Sequence, residues 1–262
     1  MNIIVCVKQV IDPEAPPSSF KIDTATNKAE MRGAPPVIDP YGEYAVEAAL
    51  KIKEAKGGKI TVMSLGANLL REVVKKPLAM GADELILLED TVFTDADSQM
   101  TASSLALAIK KVGGIDLVLC GREASDTNAG QTGAGIAEIL GIPVVTLARK
   151  IDVEDSKLRV ERVTSTGYEV IEVLLPAVIT VSNEIGEPRY PTIKGIMAAK
   201  KKEPIVWKPA DIGVGDIPSG KRVRLARLYQ PVHEGKCEFI EGESLEEMGV
   251  NLALRLRAAK VF

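Results

Sequence analysis

LVLCGREASDTNAGQTGAGIAEILG, residues 117 to 141, carries the transition that decides the fold. Leu117 to Cys120 is an apolar run with the length of a buried strand. It breaks at Gly121, passes through a polar loop, and returns as a helix bearing Ile136, Ala137, Ile139 and Leu140. Strand, glycine-punctuated loop and helix N-terminus together form an arrangement that suits an anion. The first amides of a helix lack intrahelical partners, and the macrodipole adds partial positive charge there. Gly130 and Gly133 allow close backbone approach, Arg122 brings a fixed charge, and Ser125, Thr127, Asn128, Gln131 and Thr132 bring neutral hydrogen-bonding groups. Two readings stand on the loop alone: a nucleotide site, or a glycine-rich turn leading into a well-capped helix.

Upstream, strand and helix patterns alternate from the first residues. Ile3 to Val7 is a continuous apolar run, expected for a strand covered on both faces. The opening MNIIVCVK has no basic region before that run and reads as a first strand. Residues 9 to 37 form a long connection punctuated by Pro13, Pro16, Pro17, Pro35 and Pro36. Asp39-Pro40 starts a helix with Ala45, Ala48, Ala49 and Ile52 inward, stopped by Gly57-Gly58. Lys59 to Leu65 predicts a second strand, followed by a helix from about Asn68 to Met80 that Pro77 should kink. Leu85 to Leu88 predicts a third strand, and Asp97 starts a helix ending at Gly113-Gly114. This rhythm predicts a Rossmann-like, doubly wound parallel α/β sheet with right-handed crossovers.

Past Gly141 the pattern changes. Val144 to Leu147, Ile151 to Val153, Leu158 to Val163, Glu169 to Leu174 and Val178 to Val181 are strand-like, with hairpin turns at residues 154–157 and 165–167. They predict antiparallel additions to the sheet. A proline-punctuated loop, GEPRYPTIKG, leads into a short basic helix ending in Lys200, Lys201 and Lys202. Residues 204 to 242 show little periodicity, and a last helix opens with a capping box of Ser244 and Glu247 and a stripe of Leu245, Met248, Leu252 and Leu256. The expected division is a nucleotide-binding domain over 1–203 and a C-terminal arm over 204–262. The arm's stripe fits either another chain or its own domain.

Bulk properties narrow the function. The 262 residues carry 46% hydrophobic and 26% charged residues, ordinary for a globular protein. A net charge of −3 argues against general nucleic-acid binding, and no apolar run approaches the roughly 20 residues of a membrane span. Cys6, Cys120 and Cys237 are far apart, odd in number and form no CxxC site, which suits a reducing cytosol and a cytoplasmic protein. One histidine, His233, leaves no His-based triad or multi-His metal site and reads as a surface residue.

Four segments, VCVKQV, DPYGEYAVEAAL, GREASDTNAGQTG and EPRYPTIKGIMAAKKK, occur in an order and spacing that resembles the β subunit of electron-transfer flavoproteins over nearly the whole chain. The resemblance implies an adenine-nucleotide site and an α-subunit partner carrying FAD, in a heterodimer. It places Cys6 and Val7 beside the adenine, with Asp39, Pro40, Tyr41, Gly42 and Leu65 flanking the nucleotide. It gives the phosphates to Arg122, Glu123, Ala124, Ser125, Asp126, Thr127, Asn128, Ala129, Gly130, Gln131, Thr132 and Gly133. Family members often carry Asn where this chain has Asp39, a difference that touches one hydrogen-bond donor and not the site.

The resemblance leaves the ligand open between structural AMP and a second FAD. FTDADSQMTASSLALA resembles the FAD-holding, electron-bifurcating branch, with Asp97, Ser98 and Thr101 at a helix N-terminus; an ordinary N-cap at Asp97 is the other reading. That branch implies hydride acceptance from NADH and division of electrons between a high-potential acceptor, through the α subunit, and a low-potential carrier such as ferredoxin. No catalytic side chain is expected, because the flavins carry the redox chemistry. Glu187 to Lys202 resembles the segment that docks acyl-CoA dehydrogenase-type flavoenzymes, with Ile193 as apolar anchor and Arg189, Lys194 and the following lysines as a charged rim. The lysines would equally favour the helix C-terminus. An ATP-binding stress-type module shares the nucleotide fold but leaves the docking segment and the tail unexplained.

Overall fold

Four runs set the centre of the molecule: Ile3–Cys6, Ile60–Ser64, Leu85–Leu88 and Leu117–Cys120 are buried along their whole length. Strands without an exposed face need cover on both sides, which parallel sheets obtain from crossover helices. The computed structural model describes residues 1–31, 33, 35–213, 222–223, 225–231, 235 and 237–261, and His233 lies outside them. It divides into two units, Met1–Arg227 and Leu228–Phe262.

In the first unit the sheet strands are β1 (Asn2–Cys6), β2 (Lys59–Gly66), β3 (Glu84–Glu89), β4 (Leu117–Gly121), β5 (Val144–Glu154), β6 (Lys157–Thr164), β7 (Gly167–Leu174), β8 (Ala177–Val181) and β9 (Ile205–Trp207). They form one nine-stranded sheet in the order β7-β6-β5-β8-β4-β1-β2-β3-β9. All pairings are parallel except β5 with β6 and β6 with β7. The helices are α1 (Pro40–Lys56), α2 (Arg71–Val74), α3 (Lys76–Met80), α4 (Ser98–Val112), α5 (Thr132–Leu140) and α6 (Ile193–Lys201). Alternate residues of β1 enter different cores: Ile3 and Val5 pack with Ala45 and Ala49 of α1, and Ile4 and Cys6 with Leu105 of α4 and Ile136 of α5. This is the doubly wound architecture that the alternation predicts.

The elements depart from the sequence expectation where local signals compete. The helix expected over 68–80 is two short helices meeting at Lys75, because Pro77 lacks an N–H and its ring obstructs a continuous turn. Val144–Leu147 and Ile151–Val153 are one strand; exposed Arg149 and Lys150 between them lie on a hairpin, not in a turn. Ile205–Trp207, expected within the arm, adds an edge strand beside β3, and Ile212 is buried in the α4 core. Three residues are too few to show a period. The connection 9–37 also carries two small antiparallel ladders, Gln9–Val10 with Val37–Ile38 and Phe20–Asp23 with Lys28–Met31.

The second unit contains α7 (Leu245–Ala258). The Ser244 hydroxyl accepts from the Glu247 amide at 3.2 Å, as expected, but the Glu247 carboxylate reaches back to the Glu243 amide at 2.7 Å. Leu245 and Leu252 of its stripe are exposed. Among the described residues no helix is long and apolar enough to cross a membrane.

Asp83, in the turn before β3, ties α1 to β2: its carboxylate accepts from Lys53 Nζ at 2.6 Å and from the Ile60 amide at 2.8 Å. Burial opposes its ionisation, but the Ile60 amide and the Lys53 and Lys202 charges together hold the carboxyl below its ordinary range. The contribution is therefore complete above the unfolded value of about 4 and is lost as pH falls below it. Urea midpoints of wild type and Asp83→Asn should differ near neutral pH and converge on acidification through that region. A gap that persists unchanged at low pH would contradict the assignment.

Candidate functional site

The chain runs from β1 outward through β2 and β3, then returns to β4 on the other side of β1. The strand order reverses between β1 and β4, and doubly wound sheets bind their ligands beyond the carboxyl ends of the strands at such a reversal. Cys6, the last residue of β1, is level with Met63 of β2 and Cys120 of β4. The hydrogen bond with the adjoining Cys120 thiol, and then burial, push the Cys6 thiol well above its usual range, and both cysteines are free. Val7 follows, its amide on the Met63 carbonyl at 2.9 Å. Leu65 lies at the same end of β2. The fold therefore brings these expected residues to one edge.

Asp39 and Pro40 start α1 as the sequence predicts, and Asp39 is the centre of the local network. It is 1% exposed. One carboxylate oxygen accepts from the Tyr41 amide at 3.0 Å, capping the helix. The other accepts from the Ser125 amide at 2.6 Å and the Ser125 hydroxyl at 2.8 Å. Asp39 and Ser125 are thus spent on each other, and what they supply is the position of the loop. Tyr41 explains Gly121: a Cβ there would stand 2.5 Å from the Tyr41 Cβ. Arg122 stacks over the Tyr41 ring at 5.4 Å and pairs with Glu123 at 3.1 Å. Gly42 sits over Val7.

Lys8, within VCVKQV but not singled out by the sequence reading, grips the loop from the other side, with Nζ 2.7 Å from Asp126. A lysine just past a strand end, beside the crevice, was the available signal. Ala124 provides one carbonyl for the amides of both Thr127 and Asn128. Beyond that point the loop is exposed from Asp126 to Gln131. Asn128 and Gly130 take left-handed backbone, φ 47° and 63°. Gln131 gives α5 no side-chain cap. Among the described residues no acceptor meets the amides of Ala129, Gly130, Gln131, Thr132 or Gly133. An uncapped helix terminus following a left-handed glycine presents amides of the kind that bind anions. The donors are neutral amides and hydroxyls with Arg122 and Lys8 beside them, a set that fits the phosphates of a nucleotide.

The termini of α4 and α5 lie side by side. A Cβ on Gly135 would be 2.8 Å from the Ala102 Cβ. At the α4 terminus Ser98 and Thr101 are half-buried, but Asp97 is fully engaged. One oxygen accepts from the Met100 amide at 2.9 Å and the other from the Arg222 and Val223 amides at 2.6 and 3.2 Å. These amides, led by that of Met100, hold its carboxyl below the ordinary range.

The residues expected to bind a partner lie on a different surface. Ile193 opens α6 and is 80% exposed, with Lys194 and Tyr190 also exposed. Arg189 is not a free rim charge: its guanidinium pairs with Glu47 at 2.8 Å and also with Glu54. This engagement is invisible in sequence.

Fold and switch-point loop define a doubly wound α/β protein with a candidate nucleotide crevice. The family model for the electron transfer flavoprotein domain matches residues 28–212. Relatives include subunit CarD of the caffeyl-CoA reductase–Etf complex of Acetobacterium woodii, 40% identical over 261 residues covering 98% of both chains. The electron transfer flavoprotein subunit beta of Thermoanaerobacterium thermosaccharolyticum is 44% identical over 265 residues, covering 100% of both. That of Megasphaera elsdenii is 38% identical over 241 residues, covering 88% of both. The chain belongs to the electron transfer flavoprotein family, on its β-subunit side.

Gly133 tests how the loop is built. A Cβ there would fall 2.4 Å from Thr180 Cγ2, on a β-branched side chain whose hydroxyl is held by the Leu147 amide at 3.1 Å. Gly133→Ala is expected to destabilise by about 1–3 kcal/mol as an overpacked core position. Adding Thr180→Ser, which removes the methyl and keeps the hydroxyl, should restore most of that loss in chemical denaturation. Absence of rescue would show that Gly133 is required for some other reason.

Proposed function

We propose that this chain is the β subunit of a cytoplasmic heterodimeric electron-transfer flavoprotein. Its α-subunit partner carries FAD, and the crevice between β1 and β4 holds a nucleotide. The observation that carries the reading is the run of unmatched amides from Ala129 to Gly133 at the strand-order reversal. Those amides would take the phosphates; Asp39 and Lys8 would fix the loop, and Arg122 would add charge. Cys6, Val7, Leu65 and the first turn of α1 would bound the adenine end.

The ligand proposed is FAD, supported by the FTDADSQMTASSLALA segment and by similarity to a subunit of a caffeyl-CoA reductase–Etf complex. A flavin supplies hydride and single-electron chemistry when bound; this chain's residues supply burial, amides and charge that set its potential. The physiological reaction is then electron transfer from NADH, divided by flavin-based bifurcation between a dehydrogenase-type flavoenzyme and a low-potential acceptor such as ferredoxin. Ile193 is the anchor for the flavoenzyme, and the second unit is an arm for the α subunit. One observation favours the second reading, AMP: Asp97 spends one oxygen on the Met100 amide of its own helix and the other on the distant Arg222 and Val223 amides, which leaves neither for a flavin.

Denaturing the purified heterodimer and quantifying released nucleotides decides between them. The proposal expects a second equivalent of FAD beyond that of the α subunit, with no AMP. One FAD with one AMP selects the second reading. Release of only the α-subunit FAD would remove the nucleotide site from this chain.

A further inference from the structure

The segment between Gly186 and Thr192 has no regular secondary structure and ends at the exposed anchor, Ile193. Free in solution, such a segment would sample many conformations, and a partner would have to order it at a cost in affinity. Two attachments prevent this. Downstream, Gly195 brings α6 so close to α3 that a Cβ would lie 2.2 Å from the Ala79 carbonyl oxygen. Upstream, Arg189 is held by α1. Its backbone amide and Nε both donate to one Glu47 oxygen, at 3.1 and 2.8 Å, and Nη2 donates to the other at 3.0 Å. Nη1 and Nη2 also donate to Glu54.

Glu47 is 4% exposed. A carboxylate so buried needs a charged, hydrogen-bonded partner, and a planar guanidinium that engages both of its oxygens provides one. Glu54, two turns along α1 on the same face, is exposed, and the Arg189 hydrogen bonds hold its carboxyl below the ordinary range. The anchor is therefore suspended between a fixed arginine four residues before it and a fixed glycine two residues after it. The helix that grips the arginine is the one whose first turn Asp39 joins to the nucleotide loop.

We propose that Glu47 and Glu54 are positioning residues for partner docking, acting through Arg189 to hold the segment that presents Ile193 in its binding conformation. This rests on the reading of Ile193 as the docking anchor. Neither glutamate touches the partner. Arg189 serves as the strap between α1 and the segment, and a lysine could not replace its several directed bonds.

The test uses the whole heterodimer as the varied electron acceptor of an acyl-CoA dehydrogenase turning over with acyl-CoA. Ile193→Ala is expected to raise KM for the heterodimer about thirtyfold, the loss of an anchor of roughly 2 kcal/mol. Arg189→Ala should raise KM about tenfold with kcat and nucleotide content retained, and Arg189→Lys should not restore it. The double variant Arg189→Ala/Ile193→Ala should be no worse than Ile193→Ala alone, because the strap acts only through the anchor. A purely structural role would lower thermal stability and leave this KM pattern unmoved. Should Arg189→Ala fail to fold, Glu54→Gln removes an exposed carboxylate without touching the core, and a KM rise of about threefold supports the proposal. A wild-type KM in the Arg189 or Glu54 variants, with Ile193→Ala impaired, overturns the positioning role and leaves the docking reading standing. A wild-type KM in Ile193→Ala overturns both.

Discussion

A single buried carboxylate joins the two halves of the candidate site. Asp39 caps α1 with one oxygen and holds Ser125 by its amide and hydroxyl with the other. At 1% exposure a carboxylate needs all of those donors, since each one lost leaves charge unsatisfied in a poorly solvated place. The consequence reaches the loop beyond it. With Ser125 pinned and Asp126 held by Lys8, the chain has few ways to travel from β4 to α5. The one it takes leaves the amides from Ala129 to Gly133 without acceptors among the described residues.

The glycines around the crevice divide by physical role. Gly121 and Gly133 make room for Tyr41 and Thr180, so they serve internal packing. Gly130 serves the left-handed turn before α5. Glycine richness alone would not distinguish these uses, which explains why the loop reads in sequence both as a nucleotide site and as a tight turn. In three dimensions the turn and the unmatched amides are one feature.

Much of the fold was legible because parallel strands buried on both faces leave unbroken apolar runs, as at Ile3–Cys6 and Leu117–Cys120. Asp39-Pro40 and Gly57-Gly58 bounded α1 by cap chemistry that acts locally. What escaped notice was non-local or short. Ile205–Trp207 is a strand only because β3 lies beside it. The Asp39–Ser125 bond spans 86 residues and the Glu47–Arg189 bond 142, and no periodicity reports such pairs. For the same reason the engagement of Arg189 by Glu47 and Glu54 leaves no mark in the sequence. The helix start at Asp97 is legible because a cap is local, while its hold on the Arg222 and Val223 amides is not.

If the loop before α5 receives phosphate through its backbone, nucleotide should cover its amides. Hydrogen exchange of the amides from Ala129 to Gly133, compared between nucleotide-loaded and nucleotide-stripped heterodimer, tests it most directly. Strong protection of those amides is expected with nucleotide bound, and its loss on stripping, while the Ser125 amide stays protected in both states by Asp39. Equal exchange of the Ala129 to Gly133 amides with and without nucleotide would contradict it.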